Sequence, residues 1–463
     1  MRSLADEIIN ESIENVAAIL RYGTDVNQID EYGFTPLVEA AIADNIEIIK
    51  LLITHGADVN LPDTTGHTAL HWAAENNNLE IAALLLKQNA NPNAYTFSGQ
   101  PVLVMPFLRN QEALKKLLLK MGADLSFTQD YVNAKLLGHI FELVGTANIV
   151  DPQNNYVEID FEGFYLEVSL RIIAESLTQF QNHFAARKLR RYSEISKNII
   201  EVIDRSAKLI KYQHYRINLQ NYVDEIDELI DKDPILIPVG YEGHAITFVK
   251  MGTIFAKCDR REDSRLYDNI VFYQMTRQRN FNQQLIKHIL FEKKSSEFVN
   301  EELPEELGLK PVTELKIEAQ ISGNCSWANV EATIPTLFFL LLMYTQNNPN
   351  NISEYKSIAL NFFHQWSEWN KNRALHFCIE SFNNGDSIRN VCKAEILAAI
   401  LFQRCRYENF SDRERIESIL GILFRPAYQH ILDNYIKTYC YESQSEEGKA
   451  FKELLARYGY VKK

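Results

Sequence analysis

The second half of the chain holds a thiol, an imidazole and a carboxylate of the types that can activate one another. The thiol is Cys325, in the stretch Gly323-Asn324-Cys325-Ser326-Trp327-Ala328-Asn329, where a glycine-led turn delivers it to the start of a long apolar helical run. A cysteine at a helix N-terminus sits beside unpaired backbone N–H groups and the positive end of the helix dipole. Both favour the thiolate, the form that attacks carbonyl carbon. An imidazole within reach could take the thiol proton, and a carboxylate behind that imidazole could fix its tautomer and stabilise its cation. His244 and Asp259 are the candidates for these two roles.

These residues need strands and a helix to bring them together. Alternating apolar patterns at Ile235–Val239, His244–Val249, Thr253–Cys258 and Ile270–Gln274 predict an antiparallel meander. A hairpin turning at Met251-Gly252 sets His244 directly opposite Asp259, where paired Cβ atoms lie roughly 4.5–5.5 Å apart. Asp263 and Asp268 are substitutes for Asp259. Gly240 and Gly243 flank His244 and would let a substrate backbone come close.

The wording around Cys325 resembles papain-like cysteine proteases, in which a cysteine heads a helix, Trp and Ala follow closely, and His and Asn/Asp occupy neighbouring strands. The resemblance covers about 100 residues and implies catalytic roles for Cys325, His244 and Asp259, with Gln320 as the oxyanion-hole glutamine. The order His-Asp-Cys is that of circularly permuted relatives. Ser326 intervenes between Cys325 and Trp327, and the Gln320 spacing is one residue short of the family pattern.

The first third is a repeat. Gly33, Gly66 and Gly99 recur every 33 residues, and Leu37/Leu70/Leu103 and Asn27/Asn60/Asn93 keep the same register. The unit Gly66-His-Thr-Ala-Leu-His-Trp-Ala-Ala-Glu resembles the ankyrin repeat. Four repeats follow, at 1–32, 33–65, 66–98 and 99–131. The first keeps only the second half of the pattern, and the last is distorted where Met105-Pro106 replaces two alanines. Thr35 and Thr68 are expected helix caps. His71 is expected to bridge neighbouring turns. Asn60 resembles ankyrin asparagines that host hydroxylases modify, although turn hydrogen bonding accounts for its position. The stack implies a protein partner, met through turn tips and concave face.

A helical linker region at 132–220 and a second domain at 221–463 complete an α+β chain: an ankyrin α-solenoid followed by a helix-rich, permuted papain-like domain with a small antiparallel sheet. His139 and Glu142 share a helical face but read as core histidine and partner carboxylate. Arg187-Lys-Leu-Arg-Arg191 reads as a solvated face, and Trp366 and Trp369 as core. The ankyrin-plus-linker wording resembles the ankyrin effectors that Legionella delivers into host cells. The acidic tail (Glu442, Glu446, Glu447, Glu453 before Leu454-Leu455) resembles type IV secretion signals. Both imply action in the host cytosol or nucleus.

Composition sets outer limits. Of 463 residues, 46% are apolar, ample for ordinary cores, and a formal charge of −13 disfavours nucleic acid or anionic membrane as main partner. The six cysteines form no Cys-x-x-Cys pair, so reduced thiols are expected, with no metal and no cofactor. The N-terminus lacks the pattern of a secretory signal peptide. The run Leu337–Met343 is short for a bilayer span and is expected to be a buried helix. A monomer is expected. Two functions remain: thiol-mediated acyl transfer (peptide cleavage, deamidation or transglutamination), or a docking scaffold with a degenerate pocket.

Overall fold

The computed structural model describes residues 3–214, 217–261, 269–320, 323–346, 351–382, 387–442 and 445–460. The chain divides into two compact units. The first comprises Met1–Leu136, Gly145–Asp160 and Asn383–Ile396; the second comprises Leu137–Val144, Phe161–Phe382 and Leu397–Lys463.

The first unit is built on four helix pairs: Leu4–Ile9 with Ile13–Arg21, Pro36–Ile42 with Ile46–Thr54, Ala69–Glu75 with Leu79–Lys87, and Val104–Leu108 with Glu112–Lys120. Their inward faces form one continuous core that includes Leu37, Ile48, Leu52, Leu70, Ile81, Leu85, Leu114 and Leu118. The first repeat has both its helices, the opening one started by a capping box on Ser3, although its sequence shows only the second half of the pattern. The leading helix of the fourth repeat has five residues where those of the second and third have seven, with Pro106 inside it.

Thr35 accepts the Val38 N–H at 3.2 Å, which supplies one of the caps expected. At Thr68 the cap is shared with His71. The His71 Nδ1 accepts the Thr68 N–H at 3.1 Å, and its Nε2 reaches the Gln100 carbonyl of the next repeat at 3.4 Å. Burial holds this imidazole neutral, with a pKa lowered to about 3.

An asparagine ladder ties successive turns. The Asn60 Oδ1 accepts the Asn91 N–H at 2.7 Å while its Nδ2 donates to the Asn89 carbonyl at 3.1 Å. Asn27 does the same toward Asp58 and Gly56, and Asn93 toward Asp124 and Gly122. The capping turns carry positive φ at Gly23, Gly56 and Gly122, and Asn89 takes that conformation in the third.

Glu39 is an electrostatic weak point of the stack. Burial, then the charge of Asp30 and a hydrogen bond to it, raise its pKa from 4.5 to about 7. The folded state therefore holds this proton more tightly than the unfolded chain does. Stability is unaffected below pH 4.5 and falls as pH rises toward 7. Glu39→Gln keeps a donor for Asp30 and is expected to stabilise the stack by about 1 kcal/mol at about pH 8, with no gain at about pH 4, read from thermal melts at both pH values.

Two strands, β1 (Thr146–Val150) and β2 (Tyr156–Asp160), form a hairpin within the first unit. The second unit contains the five-stranded antiparallel sheet β3 (Ile235–Tyr241), β4 (His244–Met251), β5 (Ile254–Cys258), β6 (Ile270–Met275) and β7 (Leu309–Leu315), in that spatial order. The fifth strand was not visible in the sequence pattern because Pro311 interrupts it and only Leu315 of its residues is buried, so no alternation shows. Pro is tolerated there because β7 lies at the sheet edge.

The β4–β5 turn also differs from expectation. Met251 pairs with Ile254 and Thr247 with Cys258, so the tip is Gly252-Thr253. A two-residue hairpin turn needs positive φ at its first central position, which Gly252 supplies at 55° and Met251 would resist. At the β3–β4 turn, Glu242 and Gly243 both have positive φ, so Gly243 serves the turn itself.

Helices Leu166–Asn182, Ser193–Ile210, Cys325–Glu331, Thr333–Gln346 and Ile352–Glu380 supply much of the second unit's helical layer. The Cys325–Gln346 stretch, 22 residues, is long and apolar enough by composition to cross a membrane, yet 89% of its apolar window is buried, as befits a core helix. Trp366 is fully buried and donates to Ser176, while Trp369 packs on Phe180. In the 187–191 run Leu189 is buried and its four basic neighbours are exposed.

Candidate functional site

Cys325 is the first residue of helix Cys325–Glu331, entered through Gly323 at φ 83°, a conformation that favours glycine. The turn is clamped from behind. Asn324 and His139 bond each other reciprocally, side chain to side chain and Asn324 Nδ2 to the His139 carbonyl at 3.3 Å. The His139 ring stacks on Trp327 with 6.2 Å between centroids. His139 is thus a core histidine, and Glu142 pairs with Arg260 at 2.8 Å.

His244 opens β4, and its Nε2 stands 3.0 Å from the Asp259 Oδ1. The observed register puts Asp259 diagonally across from His244. A shift of two residues keeps both side chains on one face of the sheet, so the contact survives the corrected turn. Asp263 and Asp268 lie outside the described residues.

The Cys325 thiol and the His244 imidazole lie close enough to act on each other's protonation, the ring lowering the thiol pKa and the thiol helping to raise that of the ring. With Nε2 committed to Asp259, Nδ1 is the ring nitrogen left for sulfur. The structure therefore brings Cys325, His244 and Asp259 together. Gln320 is tied to the residues that follow these in the chain, its backbone N–H on the Arg260 carbonyl at 2.8 Å and its side-chain oxygen 3.4 Å from the Asn329 Nδ2.

The electrostatics separate this cysteine from Cys258, Cys392, Cys405 and Cys440. Burial pushes Cys258, Cys392 and Cys405 up to about 12 and moves Cys440 in the same direction. At Cys325 burial also opposes the thiolate, but it is outweighed. The hydrogen bond and charge of His244 and backbone bonds from Ala245 and Ser326 draw the thiol pKa down. Burial likewise disfavours the His244 cation, and the bonds to Asp259 and Cys325 with the charge of Asp259 overcome it, raising the imidazole pKa. Asp259 is held at about 2 against burial by its bond to His244 and the charges of Lys257, His244 and Arg261. The opposed shifts of thiol and imidazole favour a thiolate–imidazolium pair.

Arg261 was not singled out from sequence. Its Nε lies 3.3 Å from the His244 Nε2 and its guanidinium bonds the Tyr241 hydroxyl at 2.6 Å. A proton on Nε2 that donates to Asp259 faces this N–H, so Arg261 opposes the imidazolium. Gly240 and Gly243 are open, with nothing within 4 Å of an added Cβ. A cavity of about 970 Å³ lined by Val223, Ile226, Leu285, His288 and Phe298 shares no residue with this site.

Fold and repeat chemistry together define an ankyrin-repeat protein with a mixed α+β second unit. A family model for ankyrin repeats, in three copies, matches residues 4–96. A solved structure of the Legionella effector AnkH is 38% identical, with a TM-score of 0.83, covering 100% of this chain and 98% of that one. The chain belongs to the family of that Legionella ankyrin-repeat effector. Among curated proteins, none matches.

Proposed function

We propose that the protein is a bacterial effector delivered into a host cell, that its ankyrin stack captures a host protein, and that Cys325 carries out acyl transfer on a protein substrate. Kinship to a Legionella effector supports delivery, and the ankyrin repeats support protein capture. The observation carrying the chemistry is the thiol–imidazole–carboxylate constellation, with its opposed shifts at Cys325 and His244.

In the proposed reaction the Cys325 thiolate attacks an amide carbonyl carbon, forming a C–S bond. The carbonyl electron pair moves to oxygen, and we assign the Cys325 N–H and the Gln320 side-chain amide as the donors that receive it. As the pair returns, the C–N bond breaks and the His244 imidazolium gives its proton to the leaving amine. Water then attacks the thioester, its proton passing to His244 and the thiolate leaving. A peptide bond gives cleavage. A glutamine side chain gives ammonia and deamidation, and an amine in place of water gives transglutamination. No cofactor is required by these steps.

A docking scaffold with a degenerate pocket is the second reading, favoured by the position of Arg261 against His244. A thiol-directed electrophilic probe at neutral pH separates the two. The enzyme reading expects an adduct on Cys325, located by mass, that is lost in Cys325→Ala and reduced in His244→Ala. Absence of the adduct from wild type would leave the scaffold. Host substrates are sought by comparing proteins retained by the Cys325→Ser chain and by the wild type.

A further inference from the structure

Asn329 lies one helical turn after Cys325, on the same helix, and is 1% exposed. Its side chain is fully used. The Oδ1 accepts the Arg260 N–H at 2.8 Å; the Nδ2 donates to the Ala245 carbonyl at 2.6 Å and lies 3.4 Å from the Gln320 Oε1. Ala245 is the residue after His244, and Arg260 is the residue after Asp259. One amide therefore joins the helix of the thiol to the backbones beside the imidazole and the carboxylate, and to the Gln320 side chain itself.

We propose that Asn329 is the positioning residue of the thiol site, setting the distance between the Cys325 sulfur and the His244 ring. This rests on the acyl-transfer reading. At this reach the amide satisfies a backbone donor on one side and a backbone acceptor on the other: Leu satisfies neither, and Asp keeps the acceptor while losing the donor. The Ala245 bond matters most because the Ala245 backbone N–H is also among the groups that draw the Cys325 thiol pKa down. Holding the Ala245 carbonyl fixes the peptide geometry at the start of β4, where both the ring and that N–H originate.

The test is the pH dependence of Cys325 alkylation by iodoacetamide, followed by mass at that residue in the full chain. Wild type, Asn329→Leu, Asn329→Asp and, as a control, Asn370→Leu are compared. Asn370 is equally buried in the same unit but bonds Ser176 and Arg373 instead. The wild-type midpoint is expected below that of an ordinary thiol. Both Asn329 variants are expected to raise it by about one pH unit, making alkylation roughly tenfold slower below the midpoint, while Asn370→Leu leaves it in place.

If Asn329→Leu does not fold, Asn329→Asp decides. A folded Asn329 variant that titrates with wild type overturns the positioning role, as does an equal shift in Asn370→Leu. A wild-type midpoint in the ordinary thiol range overturns the acyl-transfer reading and this inference with it.

Discussion

His244→Ala is expected to slow alkylation of Cys325 by at least about tenfold at pH 6, and to return its pH profile to that of an ordinary thiol. A thiol with a pKa of about 8.5 is well under 1% ionised at that pH. In the folded protein the bond and charge of His244 lead the influences that bring the Cys325 pKa down. Removing the imidazole leaves the Ala245 and Ser326 bonds against burial. Lowering a thiol pKa also lowers its intrinsic nucleophilicity, so the loss is smaller than the change in ionisation alone. The thiol pKa is drawn down and the imidazole pKa up, so each shift enlarges the share of thiolate–imidazolium pair near neutral pH. Wild-type reactivity should therefore extend to lower pH than that of the variant. A variant profile that overlays wild type would show that the two side chains are not coupled.

Trp327→Ala is expected to cost the second unit about 3–5 kcal/mol, the range for removing a fully buried aromatic ring from a core. The ring is fully buried and stacks on His139, which in turn holds Asn324 at the mouth of the Cys325 helix. Denaturant unfolding followed by near-UV dichroism should show a destabilised transition for this unit and an unchanged one for the ankyrin stack. A shift below about 1 kcal/mol would mean that the site turn is held by other contacts.

The repeat was legible because its signal is periodic: a glycine, a leucine and an asparagine each recur at one spacing, and each has a structural duty. The hairpin that carries His244 and Asp259 was legible as strands but not as a turn. Alternation gives the faces, whereas the tip depends on which residue must take positive φ, and Gly252 was placed one position too late in the turn. The error moved the pairing by two residues, an even number, and so spared the contact; an odd slip would have put the carboxylate on the opposite face. β7 was missed because a strand with a proline and one buried residue carries no alternation.

Asn329 and Arg261 were missed for another reason. Asn329 matters through backbone groups far away in the chain and Arg261 through the side chains of His244 and Tyr241, and no local pattern reports either. The helical offset of four from Cys325 to Asn329 was the one usable signal, since it places the two side chains on neighbouring turns of one helix face.

The asparagine ladder has a consequence for how this solenoid can vary in length. Each asparagine reaches 29 residues ahead for an acceptor and 31 ahead for a donor. Inserting one residue between two rungs throws both contacts out of step, whereas inserting a complete 33-residue unit reproduces the same pair at every junction. Changes of length in this arm should therefore come in whole repeats, with single-residue gains confined to places outside the rungs.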